Sequence, residues 1–100
     1  MLWAISRVAA PSFAENREKG LQPHLDYLRS QKDILVISGA TTSDDGKQFV
    51  GSLLIVNVKT RAEAQAFVDG DPFTKAGMFT GVTITRMNKG QFNPQAAEGA

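Results

Sequence analysis

A chain of 100 residues fits one domain, and 42% hydrophobic residues suffice for its core and argue against disorder. Its 11 basic and 10 acidic side chains leave a net charge of +1. The scattered Arg7, Arg17, Lys19, Arg29 and Lys32 form no basic stripe, which argues against nucleic-acid binding.

There is no cysteine, so disulfides, thiolate catalysis and cysteine-based zinc sites are excluded. His24 is the single histidine, which excludes a histidine-rich metal site within one subunit. The N-terminus lacks the basic-then-apolar pattern of a signal peptide, and no apolar run approaches the ~20 residues of a membrane span. The expectation is a cytoplasmic, soluble protein with no metal, no cofactor and no membrane partner.

Leu2 to Val8 is short and apolar, and Trp3, Ile5 and Val8 favour a strand. Pro11-Ser12 breaks it, and Ser12 with Glu15 has capping-box spacing for a helix. From Phe13 to Lys32 the pattern is helical, with Leu21, Leu25 and Leu28 on one face. Gly20 and Pro23 interrupt it, because proline inside a helix costs about 3 kcal/mol. A kink or a fresh start near Leu21 is expected, with His24 in the first turn. Ile34 to Ile37, bounded by Gly39, reads as a buried strand.

Thr41 to Lys47 is a polar turn in which Asp45-Gly46 signals a hairpin. Phe49 to Val58 is the longest strand candidate, and it is apolar on both faces: Leu53 and Ile55 on one, Leu54 and Val56 on the other. Helices of the same chain can cover one face, and the other needs a partner. Thr60 to Glu63 is a capping box, and Ala62, Ala66 and Phe67 give the next helix a buried stripe. Gly70 stands where a helix end favours a left-handed residue. Asp71-Pro72 reads as an N-cap followed by proline in the first turn of a short helix reaching about Met78.

Val82 to Met87 is a final strand, and residues 90–100 form a small, polar tail expected to be mobile. The order strand, helix, strand, strand, helix, strand predicts an α+β, ferredoxin-like fold in residues 1–89. Its antiparallel sheet carries two main helices on one face, and its open face is a natural surface for a two-fold homodimer.

His24 is the only side chain with an ordinary pKa near neutrality, which makes it the one ready general acid or base. Read blandly, it is a surface residue on an amphipathic helix. Asp71 likewise reads first as a cap, yet one carboxylate can both cap a helix and orient an imidazole. Ser38 is either a strand-end residue or a polar pocket contact, and Arg17 either a solvated cation or a clamp for an anionic substrate. Trp3 and Phe73 read as core or interface anchors, and Phe73 also counts with Arg17 and Ser38 among the substrate-contacting candidates.

The N-terminal strand, the helix bearing His24, the strand end Ser38-Gly39-Ala40, and Asp71-Pro72-Phe73 followed by Ala76-Gly77 together resemble the YCII-related (YciI-like) family. The resemblance covers roughly residues 1–89. It implies a ferredoxin-like fold assembled as a dimeric α/β barrel, with His24 and Asp71 as the active pair and Arg17 at a family position. A family basic position falls on Leu21 here, and Ser-Gly-Pro is Ser38-Gly39-Ala40. Relatives imply dehydrochlorinase, lyase-like or isomerase-like proton chemistry on small ring compounds. The leading expectation is a cofactor-free enzyme using His24 and Asp71, with a fold that tolerates Asp71→Asn. The alternative is a non-catalytic ligand-binding or interaction module of the same fold.

Overall fold

A computed structural model describes residues 1–100. Strand β1 (Leu2–Ala9) leads into helix α1 (Phe13–Ser30), strands β2 (Leu35–Thr42) and β3 (Phe49–Asn57), helices α2 (Arg61–Gly70) and α3 (Pro72–Lys75), and strand β4 (Phe79–Met87). The sheet order is β2-β3-β1-β4, with every neighbouring pair antiparallel. This is the expected ferredoxin-like arrangement. Residues Pro94–Ala97 form a single 3-10 turn in an exposed C-terminal segment. No helix is long and apolar enough to cross a membrane.

Strand alternation divides the sheet into two unlike faces. Trp3, Ile5 and Arg7 of β1 point toward the helices together with Leu54 and Val56 of β3, and all five are buried. Ile84 of β4 pairs with Ile5 on that face, and Phe67, Val68 and Ala64 of α2 cover it. The Trp3 indole N–H donates to the Val58 carbonyl at 3.2 Å, so its one polar atom is satisfied. A smaller apolar cluster of Phe13, Phe73 and Met78 seals the end of the sheet where α1 begins.

The opposite face is uncovered. Val8 and Ile37 are each 55% exposed there, and Leu53 is 46% exposed. Most of their cross-strand partners are glycines or other apolar residues: Val8 faces Gly51, Leu53 lies between Gly39 and Ser6, and Ile37 faces Ile55.

Several local expectations need correction. Helix α1 runs unbroken through Pro23. The missing N–H of Pro23 leaves the Lys19 carbonyl without its helical donor, but both residues are exposed, so water can replace it. Ser12 occupies the N-cap position of α1 without making a side-chain cap bond. Strand β2 is exposed rather than buried from Val36 onward, because it lies at the sheet edge, and pairing with β3 carries it past Gly39 to Thr42. In α2 the buried stripe is Ala64, Phe67 and Val68, while Ala62 and Ala66 face solvent.

Gly70 is the last residue of α2 and has no positive φ. A Cβ there would meet the Tyr27 hydroxyl at 2.5 Å, so the glycine permits close approach between α1 and α2. The left-handed residue is Gly77, whose φ of 69° ends α3 well before Met78. At Thr60 the capping reading holds, since its hydroxyl accepts the Glu63 amide at 3.1 Å.

Candidate active site

Asp71 is 1% exposed and joins the end of α2 to the start of α3. Its Oδ1 accepts the Phe73 amide at 3.0 Å, which is the cap expected from Asp-Pro. The same oxygen accepts the His24 Nδ1 proton at 2.7 Å. Its Oδ2 accepts from Arg7 Nη1, also at 2.7 Å.

Burial alone would push the Asp71 carboxyl upward. Hydrogen bonds from His24, Arg7 and the Phe73 amide, with the Arg7 charge, outweigh it and hold the pKa below the ordinary value of 3.8. Asp71 is therefore a carboxylate at neutral pH.

His24 reaches this carboxylate because α1 presents one continuous stripe to the sheet. Arg17, Leu21, His24 and Leu28 recur at helical spacing, and all four line a common cavity. One turn before His24, Gly20 lies against Phe73, where a Cβ would come within 3.2 Å of the ring. The close approach lets the imidazole stack on Phe73 with centroids 3.9 Å apart and planes 3° from parallel. The ring is thus held by a hydrogen bond at its edge and by an aromatic surface at its face.

Nδ1 donates to the Asp71 carboxylate, so Nε2 is the ring nitrogen left to exchange a proton. Nε2 has no partner in the chain, and no sealed-off side-chain nitrogen or oxygen lacks one, so Nε2 remains accessible.

Arg7 is the residue that the sequence reading missed. It is 3% exposed, at the same strand parity as Trp3 and Ile5. Besides Asp71, it donates through Nε to the Ser52 hydroxyl at 2.8 Å and through Nη1 to Thr74 Oγ1 at 3.1 Å. The Phe79 ring covers its guanidinium at 4.0 Å. Burial lowers the Arg7 pKa and the adjacent carboxylate opposes this, leaving it below its usual value. The available signal was parity: an arginine on the buried side of a strand needs a buried anion.

The cavity enclosed by these groups has a volume of about 200 Å³. Apolar walls come from Phe13, Leu21, Leu54, Phe73 and Phe79, and polar groups from Arg7, Arg17, His24, Ser38 and Ser52. Of the expected site residues, His24, Arg17, Ser38 and Phe73 line this one space, while Asp71 stands behind His24. Ser38 pairs with Leu54 on the helix-facing side of the sheet and is not the strand end. The Arg17 guanidinium lies 4.4 Å over the Phe49 ring and 3.7 Å from Glu18, remaining partly exposed.

Such a sheet, with a buried carboxylate shared by a histidine and an arginine beside a small cavity, defines an α+β domain with one polar cluster at one cavity. The family model for the YCII-related domain matches residues 1–88, and the chain belongs to that family. Among similar solved structures is the 5-chloro-2-hydroxyhydroquinone dehydrochlorinase of Burkholderia phenoliruptrix in complex with 2,5-dihydroxybenzoquinone. The two are 35% identical and superpose with a TM-score of 0.80 over 90% of this chain and 96% of that one. Comparison with curated protein sequences finds no match.

Proposed function

We propose that this chain is a cofactor-free enzyme that moves protons on a small ring compound, with His24 as the acid–base group and Asp71 as its orienting partner. The observation carrying this reading is the 2.7 Å contact of His24 Nδ1 with Asp71, which leaves Nε2 open beside the cavity. A cavity of about 150 Å³ can hold benzene. The present one, at about 200 Å³, suits a single six-membered ring with a few substituents.

In this mechanism Nε2 takes a proton from a ring hydroxyl or an acidic ring carbon. The resulting imidazolium is stabilised by the Asp71 carboxylate, which keeps its own proton affinity low. Nε2–H then returns the proton to a different ring atom, the net change being an isomerisation. Where that atom is a carbon bearing chloride, loss of a second hydroxyl proton expels the chloride. The sum is elimination of HCl, with no outside oxidant or reductant. The similar dehydrochlorinase supports this reaction class.

Phe73 has one face taken by His24, so its part is to hold the imidazole flat. Arg17 and Ser38 are the groups placed to touch substituents on the ring. The working unit is a homodimer, formed through the open sheet face carrying Val8, Ile37 and Leu53.

A crystal structure with 2,5-dihydroxybenzoquinone tests the assignment. The ring is expected in the cavity with an oxygen within hydrogen-bond distance of His24 Nε2. A ring bound elsewhere, with the cavity empty, contradicts it.

A further inference from the structure

We infer that Arg7 is a further substrate-contacting group of this site, binding a negatively charged ring oxygen while it holds Asp71 from its other side. The inference rests on the proton-transfer reading above and narrows its substrate class to ring compounds with an ionisable hydroxyl, such as hydroxyquinones, enediols and activated phenols.

Nε of Arg7 is taken by Ser52, and Nη1 by Asp71 and Thr74. Nη2 makes no hydrogen bond in the chain. No buried side-chain nitrogen or oxygen is sealed away without a partner, and Arg7 lines the cavity. The open direction of Nη2 is therefore the cavity itself.

A guanidinium held this way is preorganised. Two of its nitrogens are fixed by neighbours, its face is covered by Phe79, and its remaining donors project where a ligand oxygen would lie. An ionised oxygen there meets a charge-assisted bond in surroundings that exclude most water, where such bonds are strongest. The partly exposed and loosely paired Arg17 lacks that setting.

The placement also balances charge during proton transfer. Before reaction, Arg7 and Asp71 neutralise each other. After Nε2 accepts a hydroxyl proton, the imidazolium faces Asp71 and the new oxyanion faces Arg7. Each charge formed has a fixed opposite charge beside it, and no proton leaves the site.

Two probes of equal ring size separate a binding role from a structural one: 2,5-dihydroxybenzoquinone, which is anionic at neutral pH, and hydroquinone, which is neutral. Arg7→Lys keeps a cation opposite Asp71 but loses the forked second donor. We expect it to bind the anionic probe roughly 10- to 100-fold more weakly than the parent, the cost of one charge-assisted bond, while hydroquinone binding stays unchanged. In the parent protein, the Arg7 Nη nitrogen resonances should move with the anionic probe and stay still with hydroquinone, a readout that needs no variant to fold. Equal binding of both probes by Arg7→Lys, equal losses for both, or unmoved Arg7 signals while His24 signals shift would overturn the inference and leave the proton-transfer reading standing. Full turnover by a His24→Gln variant would overturn that reading instead, whatever Arg7 does.

Discussion

Arg7 Nη1 and Asp71 Oδ2 lie 2.7 Å apart, with both side chains almost completely withdrawn from solvent. They join β1 to the start of α3, 64 residues further along the chain. The same carboxylate accepts from His24, so the groups that hold the fold closed also fix the proposed acid–base residue.

Asp71→Asn therefore acts on stability as well as on the site. Asparagine caps a helix about as well as aspartate, so the cap is retained. The loss is the countercharge for a buried guanidinium, which costs about 3 kcal/mol or more. Urea denaturation should show a drop of that size, and Arg7→Met combined with Asp71→Asn should recover most of it, since no unpaired charge remains. Additive losses in the double variant would mean that the pair is not coupled.

The pH dependence follows from the depressed Asp71 pKa. A carboxyl that ionises more easily in the folded state adds stability above its unfolded pKa and loses it as pH falls through the folded one. Thermal unfolding of the parent and of Asp71→Asn should differ fully at neutral pH. The gap should start to narrow near the ordinary carboxyl value of 3.8 and close at lower pH. Asp45 is also depressed, by the Ser43 hydroxyl and the Lys47 amide, but it is common to both proteins and cancels. A gap independent of pH would show that the Asp71 charge contributes nothing.

Gly70→Ala is expected to destabilise although alanine is the better helix former by about 1 kcal/mol. The added methyl collides with the Tyr27 hydroxyl, which donates to the Phe67 carbonyl at 2.7 Å and cannot retreat without losing that bond. A net loss of about 1–2 kcal/mol is expected by thermal or urea unfolding, with part of it relieved in a Tyr27→Phe background. A stabilised Gly70→Ala protein would show that the α1–α2 approach is slack.

Much of this was legible because it is local. The strand signal of Trp3 and Ile5, the Thr60–Glu63 box and the Asp71-Pro72 cap are each written within a few neighbouring residues. So was the two-faced character of Phe49 to Val58. Arg7 was not legible as a partner of Asp71, because only the fold brings the two together, and in sequence it looks like one more scattered cation. That pairing is why a stability loss is now predicted for Asp71→Asn, where the sequence alone suggested a largely intact fold. Gly70 was misread because its constraint is a tyrosine from another helix rather than its own φ, and β2 was misjudged because pairing with β3, not its own composition, sets its length.

The uncovered sheet face carries its own prediction. Leu53→Arg places a charge among Val8, Ile37 and Ile55 without touching the helix side. Sedimentation should show a dimer for the parent and a monomer for the variant at micromolar concentration, with the circular dichroism of the two alike. A monomeric parent would remove the homodimer from the account.

Release of chloride from 5-chloro-2-hydroxyhydroquinone, compared between the parent and His24→Gln, bears most directly on the central claim. General acid–base groups contribute roughly 100- to 10,000-fold, so the parent should release chloride and the variant should be slower by at least about 100-fold. Because His24→Gln leaves the Arg7–Asp71 pair in place, its fold should persist. Equal rates for the two proteins, or no release by the parent, would contradict the assignment of His24 as the proton-transferring residue in this reaction.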